Sequence, residues 1–279
     1  MVSGFLLRKL YADLVTPDGQ VVVVYLGWLS VAGLRTAYAA IESYLPDGTR
    51  QVIRGRPDAA QPRLRADGST EYTVGSRDGR TFRLVHHDAL PTWHPAGPPI
   101  SPRVRWHVAV PYARASGSWG EATTPVLSGC GYSDWVQLHR PPRMLGLRRL
   151  QWGRIHLPGR TIVFNTVDHA SGGRWTRLAE WTAAGEPAVL TVDGAPQPDG
   201  WKVPAPGGPV VLTPVRVLHA GEPLDRDRFP KPLERWTSRA ANGPAHEVRW
   251  LSRATSADGA DGMALHESVE FGRVRTASA

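Results

Sequence analysis

Tyr132 and Asp134 stand two residues apart in the stretch Gly129-Cys130-Gly131-Tyr132-Ser133-Asp134-Trp135. Side chains alternate along an extended chain, so the phenol and the carboxyl group share one face, with Ser133 and Trp135 on the other. A carboxyl group and a phenol facing one apolar space can do proton chemistry. Desolvation disfavours a carboxylate, which turns a buried Asp134 into a general acid. A hydrogen bond from Tyr132 or a protonated Asp134 to a conjugated carbonyl would stabilise charge developing there. The same residues also fit a capped turn with aromatic packing, Asp134 being the cap after Gly131, and spacing alone leaves both readings open. Gly129 and Gly131 permit a sharp turn around Cys130 or a close approach to a ligand. Trp28, Trp106, Trp135 and Trp152 offer flat walls against which a polyene could fold, and Tyr38 and His107 are further binding candidates. Each tryptophan fits an ordinary β core equally well, and His107, among Val108, Ala109 and Val110, also reads as a satisfied core histidine.

The elements that must position these groups are strands. Eight Asp-Gly pairs begin at Asp18, Asp47, Asp67, Asp78, Asp193, Asp199, Asp258 and Asp261, and Asp-Gly between β-prone runs is a strong hairpin signal. The runs 10–15, 21–28, 35–44, 50–54, 63–65, 71–74 and 81–86 flank the first four. Leu34–Tyr44 reads as a strand because of its tyrosines and the turn that follows. Residues 87–102 form a proline-rich connection to a short strand, 103–112. A second β series runs through 161–169, 175–181, 189–192, 210–218, 248–254 and 263–274, with a charged, proline-containing loop over 222–234. Many short strands at this spacing imply an all-β protein of two antiparallel barrels. The expected domains are 1–145 and 146–279, with the seam near 140–160.

Composition narrows the function. The net charge is +8 and the pI about 10.1. The cations are nearly all arginines, lysine occurring only at Lys9, Lys202 and Lys231, and apart from a cluster over 140–154 they are scattered. That pattern reflects a GC-rich coding bias better than a nucleic-acid footprint, so no nucleic-acid partner is expected. A mean hydropathy of −0.29 and the absence of a long apolar run argue against a membrane span. A single cysteine excludes an internal disulfide framework and fits a cytoplasmic location. His86, His87, Asp88 and His94 cluster, but neighbouring histidines on a strand face opposite ways, so no metal site is expected. There is no G-x-S-x-G elbow, P-loop or dinucleotide fingerprint, and Cys130 has no evident base beside it. Chemistry driven by shape and proton placement, with no cofactor, is the expectation.

The combination of Gly129, Gly131, Tyr132 and Asp134 with Trp152-Gly153-Arg154-Ile155 downstream, and the early run VVVVYLGWLS, resembles the carotenoid 1,2-hydratase and lipocalin-like cyclase superfamily. The resemblance implies two lipocalin-like β-barrel domains with a ligand cavity at or near their junction. It also implies one of two activities, hydration of an isoprenoid double bond or [4+2] cyclisation of a linear polyketide. Tyr132 and Asp134 match the family's tyrosine and acid. The family also has a histidine and a tryptophan upstream, for which Trp106 and His107 are the candidates, although here they are adjacent instead of separated by one residue. The hydratases continue G-Y-H-D-H-N-W-G, whereas Ser133 replaces the first histidine here and Trp135-Val136-Gln137 the following polar run. Fewer polar groups remain to hold a nucleophilic water, which favours cyclisation of an apolar small molecule over hydration. A non-catalytic carrier of an apolar ligand is the third expectation.

Overall fold

The computed structural model describes residues 4–95, 103–120, 126–182, 185–193, 201–222 and 245–272. Strands β1 (Phe5–Val15), β2 (Val21–Val31), β3 (Leu34–Tyr44), β4 (Arg50–Leu64), β5 (Thr70–Ser76), β6 (Thr81–His87), β7 (Val104–Trp119) and β8 (Leu127–Leu138) close an antiparallel barrel in chain order. A second set comprises β9 (Leu147–Leu157), β10 (Arg160–His169), β11 (Arg174–Thr182), β12 (Ala188–Asp193), β13 (Trp201–Val203), β14 (Val210–Gly221), β15 (Ala245–Thr255) and β16 (Asp261–Phe271). These form an eight-stranded sheet ordered β12-β11-β10-β9-β16-β15-β14-β13. The all-β expectation therefore holds, and the second set differs from the first in being an open sheet among the described residues. The chain divides into two compact units, the first holding β1–β8 and the second β9–β16. No helix among the described residues is long and apolar enough to cross a membrane.

Five Asp-Gly pairs make hairpin turns. Gly19, Gly48, Gly68, Gly79 and Gly259 take φ between 80° and 89°, a region closed to most side chains. Each preceding aspartate accepts a hydrogen bond from the backbone N–H two residues on, as Asp47 does from Thr49 at 2.8 Å. Asp261-Gly262 opens β16 instead of a turn, the hairpin bend being made by Asp258-Gly259, and Gly262 gives room to the His156 carbonyl oxygen, from which a Cβ would lie 2.0 Å. The pairs at Asp193 and Asp199, and the loop up to Glu234, run outside the described residues.

Inside the barrel, Leu10, Ala12 and Leu14 of β1 pack with Val22, Val24 and Leu26 of β2, Ala39 and Ile41 of β3, Tyr72, Val74, Phe82, Leu84 and Ala115. Every second residue of β1 and β2 faces this core, so their odd-numbered residues face out. Gly129 and Gly131 do not turn the chain; both lie within β8. A Cβ on Gly129 would come 2.0 Å from the Val15 carbonyl oxygen, and one on Gly131 2.5 Å from His86 Nε2. Their smallness lets β8 pass close to β1 and lets the buried His86 ring sit beneath it. His86 and His87 do face opposite ways, His86 Nε2 meeting the Asp13 carbonyl at 2.9 Å and His87 Nε2 the Ser116 hydroxyl at 3.2 Å.

The second unit has its own core, built from Ile155, Leu157, Ile162, Phe164, Leu178, Val210, Leu212, Ala254 and Ala264. His266 extends that inward face. It is 0 % exposed, 2.8 Å from Ser252 Oγ, stacked on Trp250 at 5.1 Å and edge-on to Trp201 at 4.3 Å. Burial pushes its pKa from 6.5 down to about 3. The unfolded chain binds this proton near pH 6.5 while the folded protein refuses it until far lower. Its contribution to stability is therefore whole above pH 6.5 and is lost as the pH falls toward 3. His266→Phe is expected to melt lower at neutral pH and to lose less of its Tm than the parent between pH 6.5 and pH 4. Parallel slopes across a pH series of melts would remove His266 from the acid response.

Candidate active site

The outward face of the first barrel carries a grid of polar and aromatic side chains across five strands. One row of register partners runs Tyr38, Gly27, Lys9, Val136, Trp106; the next runs Ala40, Tyr25, Tyr11, Asp134, Val108. Below them lie Glu42, Val23, Asp13 and Tyr132. Adjacent strands stand about 4.8 Å apart, so these groups touch along and across the rows. Tyr11 meets Tyr25 edge-on at 5.4 Å and Tyr132 at 6.1 Å. The Lys9 ammonium sits 4.8 Å above the Tyr25 ring. Tyr38 lies flat over Gly27, where a Cβ would fall 2.0 Å from its ring.

Asp134 is the polar centre of the grid. Its Oδ2 accepts the Tyr132 hydroxyl at 2.9 Å and the Trp106 indole N–H at 2.8 Å. Tyr132 reaches it because residues two apart on a strand share a face, and Trp106 because it is the diagonal cross-strand neighbour. An indole N–H only donates, so Oδ2 is held as an acceptor and the Tyr132 hydroxyl proton points at it. Tyr132 is fully buried and Asp134 partly so. Asp134 caps no turn.

The local fold explains how Trp106 gets there. The pairing of β7 with β8 slips between Val108 and Val110 and again before Ala113. Pro111 sits inside this irregular stretch, where a residue without an N–H is tolerated. β6 ends at His87, and Trp93 takes over the exposed edge of β7 through a pair of 2.9 Å backbone bonds with Val108. That bridge packs Trp93 edge-on against Trp106 at 5.4 Å.

The expected site residues thus divide. Tyr132, Asp134, Trp106 and Tyr38 share the outward face. Trp28, Trp135 and His107 sit on the inward face of the same barrel, Trp28 opposite Arg8 and Trp135 opposite both Leu10 and His107. Adjacent Trp106 and His107 must face opposite sides of a strand, so one wall cannot hold both. Trp152 belongs to the second unit, buried on β9 opposite Glu267. Sequence reading missed Tyr11, Tyr25, Lys9 and Trp93. The alternation Lys9-x-Tyr11-x-Asp13 was the available signal for three positions on one face. Cys130 is half-buried, its Sγ 3.8 Å from the Val15 carbonyl. Among the described residues no group of three metal-ligating side chains comes together.

No family model and no curated protein matches the chain by sequence. Solved structures do match. CghA with Sch210972 superposes with a TM-score of 0.69 at 12 % identity, covering 96 % of this chain and 89 % of that one. The fold is lipocalin-like. A second crystal structure of CghA gives a TM-score of 0.66 at 13 % identity over the same shares of the two chains. An AttH-like protein from Nitrosomonas europaea gives 0.58 at 13 %, covering 96 % of this chain and 93 % of its own. A lipocalin-like barrel paired with a second curled sheet is thus kept at identities that carry no residue-level inference. In this lipocalin-like chain the Asp134 grid has to be judged on its own geometry.

Proposed function

We propose that the protein is a cyclase that folds a linear, unsaturated, apolar substrate, such as a polyene-bearing polyketide, and closes its ring without a cofactor. The observation that carries this reading is the Asp134 carboxylate, fixed by Tyr132 and Trp106 at the centre of an aromatic face. Ring closure of this kind needs the reacting carbons held near bonding distance, and holding them supplies several kcal/mol. Trp106, Tyr11, Tyr25 and Tyr38 offer the flat surfaces that select a folded chain. The Lys9 ammonium offers a donor to a conjugated carbonyl, and Asp134 would offer a second when protonated. The fold shared with CghA, a lipocalin-like Diels–Alderase, fits the same class of chemistry.

The test is incubation of the purified protein with a linear polyene polyketide in heavy-oxygen water. A ring product of unchanged mass is the expected result. Heavy oxygen in the product makes the protein a hydratase. Precursor bound tightly and recovered unaltered makes it a carrier. Either outcome replaces the proposal.

A further inference from the structure

Behind the Asp134 grid, on the inward face of the same strands, a second set of groups has no role in the cyclisation reading. One row of register partners there runs Ala37, Trp28, Arg8, Gln137, Arg105. The row beneath it runs Ala39, Leu26, Leu10, Trp135, His107. Arg35 stands one row further out, opposite Ser30. These rows lie toward one end of the barrel, where side chains reach solvent: Trp28 is 40 % exposed and Leu64 74 %, and Arg8, Arg35 and Arg105 are all exposed.

Among the described residues the charge here is unbalanced. Neither these rows nor the positions two residues beyond them on the same strands carry an aspartate or glutamate. Arg8, Arg35 and Arg105 make no ion pair among the described residues, whereas Arg65, Arg80, Arg83 and Arg114 of the same barrel do. Gln137, between Arg8 and Arg105, is committed to His139 at 2.6 Å. His107 is stacked against His94 at 3.8 Å and edge-on to Trp135 at 5.3 Å. Both its ring nitrogens are buried without a hydrogen-bond partner, a costly arrangement for an imidazole. Burial and the neighbouring His94 depress its pKa to about 4, which keeps the ring neutral at pH 7.

We infer that this end of the first barrel binds a small amphipathic carboxylate, its head on Arg8 and Arg105 and its apolar part against Trp28, Leu10 and Trp135. A planar guanidinium recognises a carboxylate through paired hydrogen bonds, and two of them flanking one position suit a single anionic head. The body has to be short, because Ala12, Leu14, Val24, Tyr72 and Leu84 already fill the barrel below. The unpaired nitrogens of His107 lie at that depth and suit a ligand hydroxyl or carbonyl. The site is separate from the Asp134 grid and stands or falls independently of the cyclase reading.

Calorimetric titration of the intact protein with decanoate, decanol and inorganic phosphate tests it. Saturable binding of decanoate is expected, about tenfold or more tighter than that of decanol. The paired substitution R8Q with R105Q is expected to weaken decanoate about ten- to hundredfold and leave decanol unchanged. Both side chains are exposed, so circular dichroism and melting should not move. Added salt should weaken decanoate and not decanol. Equal affinity for decanoate and decanol, indifference to the paired substitution, or phosphate binding as tightly as decanoate would each overturn the inference.

Discussion

Replacing Asp134 with asparagine is expected to lower turnover about ten- to thousandfold, the usual value of one placed polar group in a transition state. The barrel should stay folded. Asparagine keeps the shape and one acceptor oxygen, so Trp106 and Tyr132 retain a partner for their donors. What disappears is the negative charge, and with it any proton the carboxyl group shuttles. A hydratase that protonates an alkene through this residue would lose nearly all activity, whereas a mainly shape-driven cyclase would keep a measurable remainder. Asp134→Ala should be worse in a second way. It removes the acceptor that the Tyr132 hydroxyl and the Trp106 indole N–H share, at about 1–3 kcal/mol for each hydrogen bond lost, and should lower the Tm as well. Single-turnover rates of the two variants beside their melting curves separate chemistry from folding. A wild-type rate in Asp134→Asn would take the carboxylate out of the mechanism.

The hairpins were legible because their chemistry is local. Asp-Gly placed five turns, since an aspartate that accepts from the N–H two residues on and a glycine at positive φ together make the bend. The strand Leu34–Tyr44 was readable to the residue. So was the common face of Tyr132 and Asp134, because alternation along one strand depends on nothing else. Reading failed where a second strand decided. Gly129 and Gly131 look like a turn in isolation, and only the nearness of Val15 and His86 reveals them as spacers. Trp28 and Trp135 look like partners for Asp134 until register places them on the opposite face. Tyr11 and Tyr25 become visible only once β1 is known to lie between β2 and β8. That the second sheet is open among the described residues was not legible either, since closure depends on which edge strands pair and not on the content of any single strand.

The largest stability effect is expected in the second unit, at Arg249. This side chain is 0 % exposed and donates to Glu247 Oε1 at 2.6 Å and to Glu267 Oε2 at 2.7 Å. Glu247 is two residues away on the same strand, while Glu267 is the register partner on β16. One guanidinium thus holds two carboxylates that burial would otherwise penalise heavily. Arg249→Met leaves both without it, and the expected loss is about 3–5 kcal/mol. For a domain of this size that lowers the Tm by roughly 10 °C. Arg249→Lys keeps the charge without the planar fork and should fall between parent and Met variant. Because the penalty comes from stranded charge, it should shrink in acid, where the Met variant can protonate its carboxyl groups. It should also shrink when all three groups are replaced together by Leu, Met and Leu, since a buried ion set and a well-packed apolar set often have similar stability. A single Arg249→Met variant that melts within a degree or two of the parent would show that the triad contributes no net hold on β15 and β16.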